Sequence, residues 1–294
     1  MTAEGLRQHV GWLASDDLEG RNVGTPGLAR AAGYLQEKLA ESGLTPAGDP
    51  RSQDRRRGYE QRFSVEGNPT TNVLATIEGS DPALAGEVVV IGAHFDHLGS
   101  ARQAHPGRKG APVGDDSIWN GADDNASGTA VTLAVAQALG AGGVSCRRTL
   151  LFAFFSAEEW GLRGSRWYTE HPVAPMAKHR LMLNLDMVGR NPQIGLAVMG
   201  AAPSVEALRP RVAAAARQAA LPVVVVGMRH VLDNSDHFPF HQRSVPFLFL
   251  YSGEHTDYHQ VTDHADRLAY DRMTRVARFV ARLALDACDA PVGR

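Results

Sequence analysis

Residues 88–99 read VVVIGAHFDHLG, an apolar run of β-branched residues followed closely by histidine and aspartate. A short apolar run of this kind is typical of a strand that is buried on both faces of a sheet. Similar runs recur at Val73–Ile77, Leu150–Phe155, Leu181–Leu185, Leu196–Met199, Val223–Val226 and Phe247–Leu250. Alanine-rich helical patterns separate several of these runs, at Ala126–Leu139, Val205–Ala220 and Asp271–Ala287. The alternation predicts a three-layer α/β/α fold with a mostly parallel, mixed central sheet.

The chain before Val73 has a different pattern of apolar and polar residues. Apolar residues recur at helical spacing between Leu28 and Leu39, and Gly43 is a suitable stop for that helix. Residues 49–70 are polar and contain several prolines and glycines, so we expect a loop there. The stretch from Gly99 to Asn120 is predicted to be a second long loop, and long loops within compact domains are usually functional.

The composition is that of an ordinary globular protein. The chain has 294 residues, a formal net charge of −2, 44% hydrophobic residues and 21% charged residues. We expect a single domain over residues 1–294, because this length fits one large α/β domain. A net charge near zero offers no general attraction to nucleic acid or anionic lipid. No apolar stretch approaches the roughly 20 residues that span a bilayer, so we expect no membrane span.

The cysteine and histidine counts narrow the class of metal chemistry. Two cysteines, Cys146 and Cys288, cannot form a disulfide scaffold or a thiolate zinc site, and whether they pair is open. The chain has 12 histidines, so histidine and carboxylate remain as the metal-binding residue types. The N-terminal residues show no charged segment followed by an apolar one, so no signal peptide is visible. Localisation and oligomeric state stay open.

Metal-binding residue types cluster in five segments of the chain. In an open parallel sheet, ligands bind outside the carboxyl ends of the strands. The side chains at those positions are His94, Asp96 and His97; Asp123 and Asp124; Glu158 and Glu159; Asp186; and His255, Asp257, Tyr258, His259 and Asp263. We therefore expect five segments that are distant in sequence to meet at one edge of the sheet.

Imidazole and carboxylate groups suit a pair of divalent metal ions such as Zn²⁺. Two ions about 3.5–4 Å apart share a carboxylate and hold a water between them. A further acid is needed to take a proton from that water. Glu158 and Glu159 suit these separate tasks, because adjacent residues on a turn point in different directions.

The five segments resemble the motifs of a known family. They stand here as His94-Phe-Asp96, Asp124-Asn-Ala-Ser-Gly128, Glu158-Glu-Trp-Gly-Leu-Arg-Gly-Ser165, Asn184-Leu-Asp-Met187 and His259 with Asp263 four residues later. In this order they resemble the co-catalytic dinuclear zinc aminopeptidases of the bacterial leucyl aminopeptidase type. Glutamate carboxypeptidase II and glutaminyl cyclase are more distant relatives of that family. The segments 13–27 and 235–250 also resemble its bacterial branch, and five ordered motifs are highly specific.

This resemblance implies a role for each matched residue. It implies two Zn²⁺ per chain, bridged by Asp124, with four terminal ligands: His94, Glu159, Asp186 and His259. It implies Glu158 as the general base and Tyr258 as the group that stabilises the oxyanion. It also implies that Asp96 orients His94, and that Asp263 orients His259, through the ring nitrogen that does not bind metal. The implied activity is that of an aminopeptidase acting on peptide or aminoacyl substrates.

Some assignments have competitors within the sequence. Asp123 competes with Asp124 for the bridging position, but the family pattern places the ligand directly before Asn-x-Ser-Gly, which selects Asp124. His255 competes with His259, and only His259 has an aspartate four residues later. We expect His97 to lie beside the site without binding metal.

Other activities on the same fold are also considered. A glutaminyl-cyclase-like acyltransferase works with one zinc, so a count of bound metal would separate it from an aminopeptidase. A carboxypeptidase with an inserted lid is disfavoured, because predicted core strands and a helix already fill the 73 residues from Asp186 to His259. The interval from Phe63 to Val88 is too short for a protease-associated domain. A non-enzymatic binding module would lack ligands, and here all are present. Dipeptidase activity and side-chain preference stay open.

Overall fold

The computed structural model is organised around a nine-stranded mixed sheet, and it describes residues 1–51, 56–202 and 204–289. The strands of this sheet are β1 (Thr45–Pro46), β2 (Glu60–Val65), β3 (Asn68–Ile77), β4 (Val88–His94), β7 (Thr149–Phe155), β8 (His179–Leu185), β9 (Leu196–Ala201), β10 (Val223–Met228) and β11 (Phe247–Tyr251). Two short strands, β5 (Gly99–Ser100) and β6 (Ile118–Trp119), pair separately. The spatial order is β1-β3-β7-β4-β8-β11-β9-β10, and β2 also pairs with β3.

The centre of the sheet is parallel and its flanks are mixed. Strands β7, β4, β8 and β11 are neighbours and run in the same direction. Strand β3 is antiparallel to β7, and β9 is antiparallel to β11. Every residue of β4 is buried, as its unbroken apolar sequence predicts. The predicted fold class is therefore confirmed.

Helices cover both faces of this sheet. They are α1 (Ala3–Leu13), α2 (Pro26–Glu41), α3 (Gly128–Ala141), α4 (Arg163–Glu170), α5 (Ser204–Ala219), α6 (His237–Gln242) and α7 (Tyr270–Asp289). Five of them pack on the face that carries Val89 and Ile91, while α4 and α6 pack on the face that carries Val88 and Val90. The split follows from the two-residue period of a strand. Within the described ranges, no helix combines the length and apolar character needed to span a membrane.

The predicted loop over residues 49–70 is wrong in its second half. Strand β2 and the start of β3 form an antiparallel hairpin, closed by Glu66 and Gly67, which both have positive φ. The side chains of β2 vary between buried and exposed, so this strand lacks the continuous apolar run that revealed the others. Residues 52–55 lie outside the described part of the chain. Cys146 and Cys288 are buried free thiols.

Candidate metal centre

The parallel strands bring the sequence-predicted segments to one edge of the sheet. Strand β4 ends at His94, and the segments that carry the two glutamates, Asp186 and His259 follow β7, β8 and β11. Parallel neighbours have their carboxyl ends on the same side, so these segments converge. The segment that carries Asp124 lies directly before α3, against the same edge.

One group of side chains surrounds His94. Its Nε2 lies 3.3 Å from Asp124 Oδ1, 3.4 Å from Asp186 Oδ1 and 3.9 Å from Glu158 Oε2. The imidazole of His94 is buried, and Asp186 is nearly so. Asp186 Oδ1 is buried and has no hydrogen-bond partner, whereas Oδ2 accepts a hydrogen bond from the Ser235 hydroxyl at 2.7 Å. A buried carboxylate oxygen without a donor, facing an imidazole nitrogen, suits a bound cation.

A second group of side chains surrounds His259. Its Nε2 lies 3.0 Å from Asp124 Oδ2 and 3.3 Å from Glu159 Oε2. Burial opposes the charged form of His259, but hydrogen bonds to Asp124 and Glu159 raise its pKa to about 11. The imidazole therefore carries an extra proton beside these carboxylates when no metal is bound. Metal binding at such a site displaces this kind of proton.

Asp124 joins the two groups. Its Oδ1 faces His94 and its Oδ2 faces His259, at 3.3 and 3.0 Å respectively. Each group thus contains one imidazole nitrogen, one oxygen of Asp124 and a further carboxylate, which is Asp186 in one group and Glu159 in the other. The donor types suit zinc, and each group leaves room in the coordination shell for water. The residues present therefore fit a pair of zinc ions.

The adjacent glutamates sit in opposite electrostatic environments. Burial, together with Glu159, Asp186 and Asp236, raises the pKa of Glu158 well above its ordinary value, although His94 opposes this. Burial also opposes ionisation of Glu159, but hydrogen bonds from His259 and His97 outweigh it and hold its pKa at about 2. One carboxyl therefore readily holds a proton and its neighbour stays ionised. Such a split is what separate base and ligand tasks require.

Asp96 lies behind the first group of side chains. Its carboxylate accepts the backbone N–H groups of Glu158 and Glu159 at 3.1 and 3.3 Å. His94 Nδ1 lies 3.3 Å from the backbone carbonyl oxygen of Asp96 and 3.7 Å from one of its carboxylate oxygens. Asp96 therefore joins the turn that carries both glutamates to the ring nitrogen of His94 that faces away from the site.

The predicted pairing of Asp263 with His259 is wrong. Asp263 Oδ2 accepts the backbone N–H groups of Asp123 and Asp124 at 2.9 and 3.1 Å. His259 Nδ1 instead donates to the Gly107 carbonyl at 2.7 Å. His259 has a φ of 60°, and this turn of the chain directs its ring toward the loop that carries Gly107. Asp263 therefore supports the loop that carries Asp124.

The competing residues lie apart from both groups. His255 Nε2 is 3.2 Å from Asp123 Oδ2, so these two residues pair with each other. Asp123 Oδ1 accepts the Gly189 N–H at 2.7 Å, which is a loop-supporting contact.

Tyr258 packs its ring against that of His259, with centroids 3.9 Å apart. Burial and the surrounding carboxylates raise the pKa of Tyr258 well above its ordinary value, so its hydroxyl keeps its proton.

Sequence reasoning assigned no role to Ser235. Its hydroxyl donates to Asp186 Oδ2 at 2.7 Å and accepts from Asn184 Nδ2 at 2.8 Å, so it fixes the orientation of Asp186. The residue lies in the segment 235–250, which resembles the bacterial branch of the family, and that resemblance was the only feature of the sequence that pointed to Ser235. The contact joins residues 49 positions apart, which no local pattern records.

Arg21 was missed as well. It is completely buried, and its guanidinium donates to the carbonyls of Phe95 and Asn120 at 2.7 Å each and of Gly121 at 3.0 Å. It also donates to the Leu13 carbonyl. Burial lowers its pKa to about 10, and nearby site carboxylates oppose that shift, so the side chain remains a cation. Arg21 thereby ties the N-terminal segment to the two loops that follow His94 and precede Asp124.

The chain is similar to known proteins in sequence and in fold. The chain is 28% identical over 256 residues to leupeptin-inactivating enzyme 1 of Streptomyces exfoliatus, covering 87% of this chain and 49% of that protein. The chain thus spans about half the length of this curated relative. It is similar in fold to the LapA aminopeptidase of Legionella pneumophila, with a TM-score of 0.73, 18% identity and coverage of 98% and 72%.

A second similar structure is BSAP, a zinc aminopeptidase from Bacillus subtilis. The TM-score is 0.73 at 14% identity, and the likeness covers 100% of this chain and 97% of that one. The family model described as peptidase family M28 matches residues 72–284, which is well over half of the chain. The protein therefore belongs to peptidase family M28.

Proposed function

We propose that this protein is a zinc-dependent aminopeptidase, an exopeptidase that removes N-terminal residues from peptides. The observation that carries the proposal is the position of Asp124, with one carboxylate oxygen facing His94 and the other facing His259. The fold shared with the LapA aminopeptidase and with the zinc aminopeptidase BSAP supports it, as does membership of peptidase family M28. We further propose that residues 1–294 act as one metallopeptidase domain without an inserted lid or protease-associated domain.

The proposed metal content is two Zn²⁺ per chain. His94 and Asp186 would hold one ion, His259 and Glu159 would hold the other, and Asp124 would bind both. When bound, such an ion pair lowers the pKa of a shared water and polarises the substrate carbonyl. The unpartnered oxygen of Asp186 and the divided contacts of Asp124 support this assignment.

Glu158 is proposed as the general base. Its carboxyl lies 3.9 Å from His94 Nε2, and its raised pKa favours a group that accepts a proton readily. Glu158 takes the proton of the attacking water and passes it to the amine that leaves. Its backbone N–H is held by Asp96, so the carboxyl has a defined position. Tyr258, which stays protonated, donates a hydrogen bond to the oxyanion.

The carboxylates of the site favour substrates with a free α-amine through hydrogen bonds. The side chains of Asp124, Glu158, Glu159 and Asp186 are all at most 11% exposed. Two bound Zn²⁺ would offset most of their charge, so the preference rests on the N–H donors of a free α-amine, which an acetylated amine largely lacks. This supports cleavage at the N-terminus over cleavage within a chain.

The decisive experiment is hydrolysis of aminoacyl-p-nitroanilides, with and without a chelator, and with N-acetylated substrates as the control. We expect hydrolysis of the free substrates that chelation abolishes, and a rate on acetylated substrates lower by a factor on the order of 100 or more. Equal rates on free and acetylated substrates would refute the aminopeptidase assignment. Elemental analysis should find two zinc ions per chain, whereas one ion and turnover of N-terminal glutamine would favour a glutaminyl cyclase.

A further inference from the structure

His97 is a second buried imidazole at the His259 group. It is completely buried, and its Nδ1 lies 2.9 Å from Glu159 Oε1 and 3.8 Å from Asp124 Oδ2. Its ring meets that of His259 edge to face, with centroids 5.8 Å apart. His97, Asp124 and Glu159 could by distance alone hold a metal ion. Two imidazoles therefore lie against the same carboxylates. Which of them can bind a metal ion depends on the ring nitrogen that each one turns toward the site.

The two rings present different nitrogens to the site. His259 donates from Nδ1 to the Gly107 carbonyl, which leaves Nε2 as the nitrogen that faces Asp124 and Glu159. His97 instead turns Nδ1 toward Glu159. A metal-binding carboxylate has lost its proton and only accepts hydrogen bonds, so Nδ1 of His97 must donate. That nitrogen then has no lone pair for a metal.

The backbone holds the His97 ring in this orientation. Gly121 lies against it with a left-handed φ of 57°, and a Cβ at Gly121 would stand 2.4 Å from the ring. The His97 N–H donates to the Arg21 carbonyl at 3.2 Å, which fixes the main chain below the ring. The other ring nitrogen, Nε2, is buried without a hydrogen-bond partner. The ring is therefore closely packed beside Gly121, and its hydrogen bond to Glu159 through Nδ1 defines its orientation.

The two carboxylate oxygens of Glu159 consequently face different histidines. Oε1 accepts the hydrogen bond of His97 at 2.9 Å, and Oε2 lies 3.3 Å from His259 Nε2. We propose that His97 is a positioning residue that holds Glu159 as a one-oxygen ligand of the metal ion beside His259. This inference rests on the proposed dinuclear metal site, and it assigns His97 a task that the ligand set alone does not include.

Substitutions at His97 separate positioning from other roles. In His97→Asn the amide nitrogen takes the place of Nδ1 and keeps a donor for Glu159. In His97→Gln the amide lies one bond farther out, near the position of Nε2, and the donor no longer meets Oε1. Both variants are polar and uncharged, so they form a matched pair. His9→Asn is the control, because His9 is a buried histidine with hydrogen bonds to Tyr34 and Gln137 away from the metal ligands.

The readout is zinc binding to metal-free protein, measured by titration calorimetry, with thermal melting of the metal-free proteins alongside. We expect His97→Gln to lose affinity by about 10- to 100-fold for one of two ions, with the other unchanged. His97→Asn and the His9 control should stay within about threefold of the unmodified protein at both sites. Cobalt-substituted His97→Asn should keep the visible spectrum of the unmodified protein, because no ligand has changed.

Three results would overturn the inference. Equal zinc affinity in His97→Gln and the unmodified protein would show that His97 does not act on the metal site. Equal losses in the Asn and Gln variants, or a changed cobalt spectrum in His97→Asn, would show that the imidazole itself is required, as a ligand would be. Failure of the proposed activity alone looks different, because the unmodified protein would then bind two ions and hydrolyse no aminoacyl substrate.

Discussion

Replacement of Arg21 by methionine tests how the metal-site loops are held together. The guanidinium donates to four backbone carbonyls, those of Leu13, Phe95, Asn120 and Gly121. Methionine keeps the unbranched apolar stem of the side chain and removes every donor. The carbonyls lie around a fully buried side chain, so solvent cannot replace the lost donors without opening the structure.

The expected loss of stability follows from the number of carbonyls. A buried polar group left without a partner costs about 1–3 kcal/mol. The Gly121 carbonyl also accepts the Ala126 N–H at 3.1 Å, so it keeps a partner. At the lower end of that range, the other three carbonyls amount to a loss of about 3 kcal/mol in the free energy of unfolding. Domains are typically stable by only about 5–15 kcal/mol, so this loss is a large share of the total. Arg21→Lys keeps the charge but has one nitrogen with three hydrogens, and should fall between the two proteins.

Urea denaturation of the metal-free protein, followed by far-ultraviolet circular dichroism, measures this loss. The midpoint should fall while the slope of the transition stays constant. Arg209→Met is the control, because Arg209 lies in an exposed pair with Glu206 and its loss should change stability by less than about 0.5 kcal/mol. A loss below about 1 kcal/mol for Arg21→Met would refute the reasoning, since one unpaired carbonyl already costs that much.

Three further predictions concern the site and the pH dependence of stability. Glu158→Gln should keep its zinc and lose turnover by a factor on the order of 100 to 10,000, measured on an aminoacyl-p-nitroanilide. Asp124→Ala should weaken zinc binding at both positions together in calorimetry, because one carboxylate faces both groups. Arg180 holds the pKa of Glu87 down at about 2, against opposition from burial and with help from Arg148. The stability from this contact is present above pH 4.5 and is lost as the pH falls toward 2. In Glu87→Gln the urea midpoint should therefore change less with pH over that interval than it does in the unmodified protein.

Each of these predictions has a result that contradicts it. A Glu158→Gln variant with most of its activity would remove Glu158 as the base. Two tightly bound ions in Asp124→Ala would exclude the bridging role. A midpoint that depends on pH equally in Glu87→Gln and the unmodified protein would place the acid sensitivity in other carboxylates.

The sequence by itself determined the class of fold and the list of residues that could meet at its edge. Unbroken apolar runs such as Val88–Ile91 mark strands covered on both faces, and parallel strands place their carboxyl ends together. These two rules bring His94, Glu159, Asp186 and His259 to one edge of the sheet, whereas Asp124 reaches that edge from the turn before α3. The hairpin of β2 and β3 was not predicted, because a half-exposed strand such as β2 carries no continuous apolar run.

Only the tertiary structure decided how those side chains are held. The partner of His259 is the carbonyl of Gly107, which is 152 residues away, and Asp263 supports the Asp124 loop instead. The buried cation Arg21 and the donor His97 likewise act across contacts that depend on how distant loops pack. Residue type and spacing along a chain record which groups can bind a metal. The hydrogen bonds that orient those groups form between distant segments, and they exist only once the loops have been placed by the sheet.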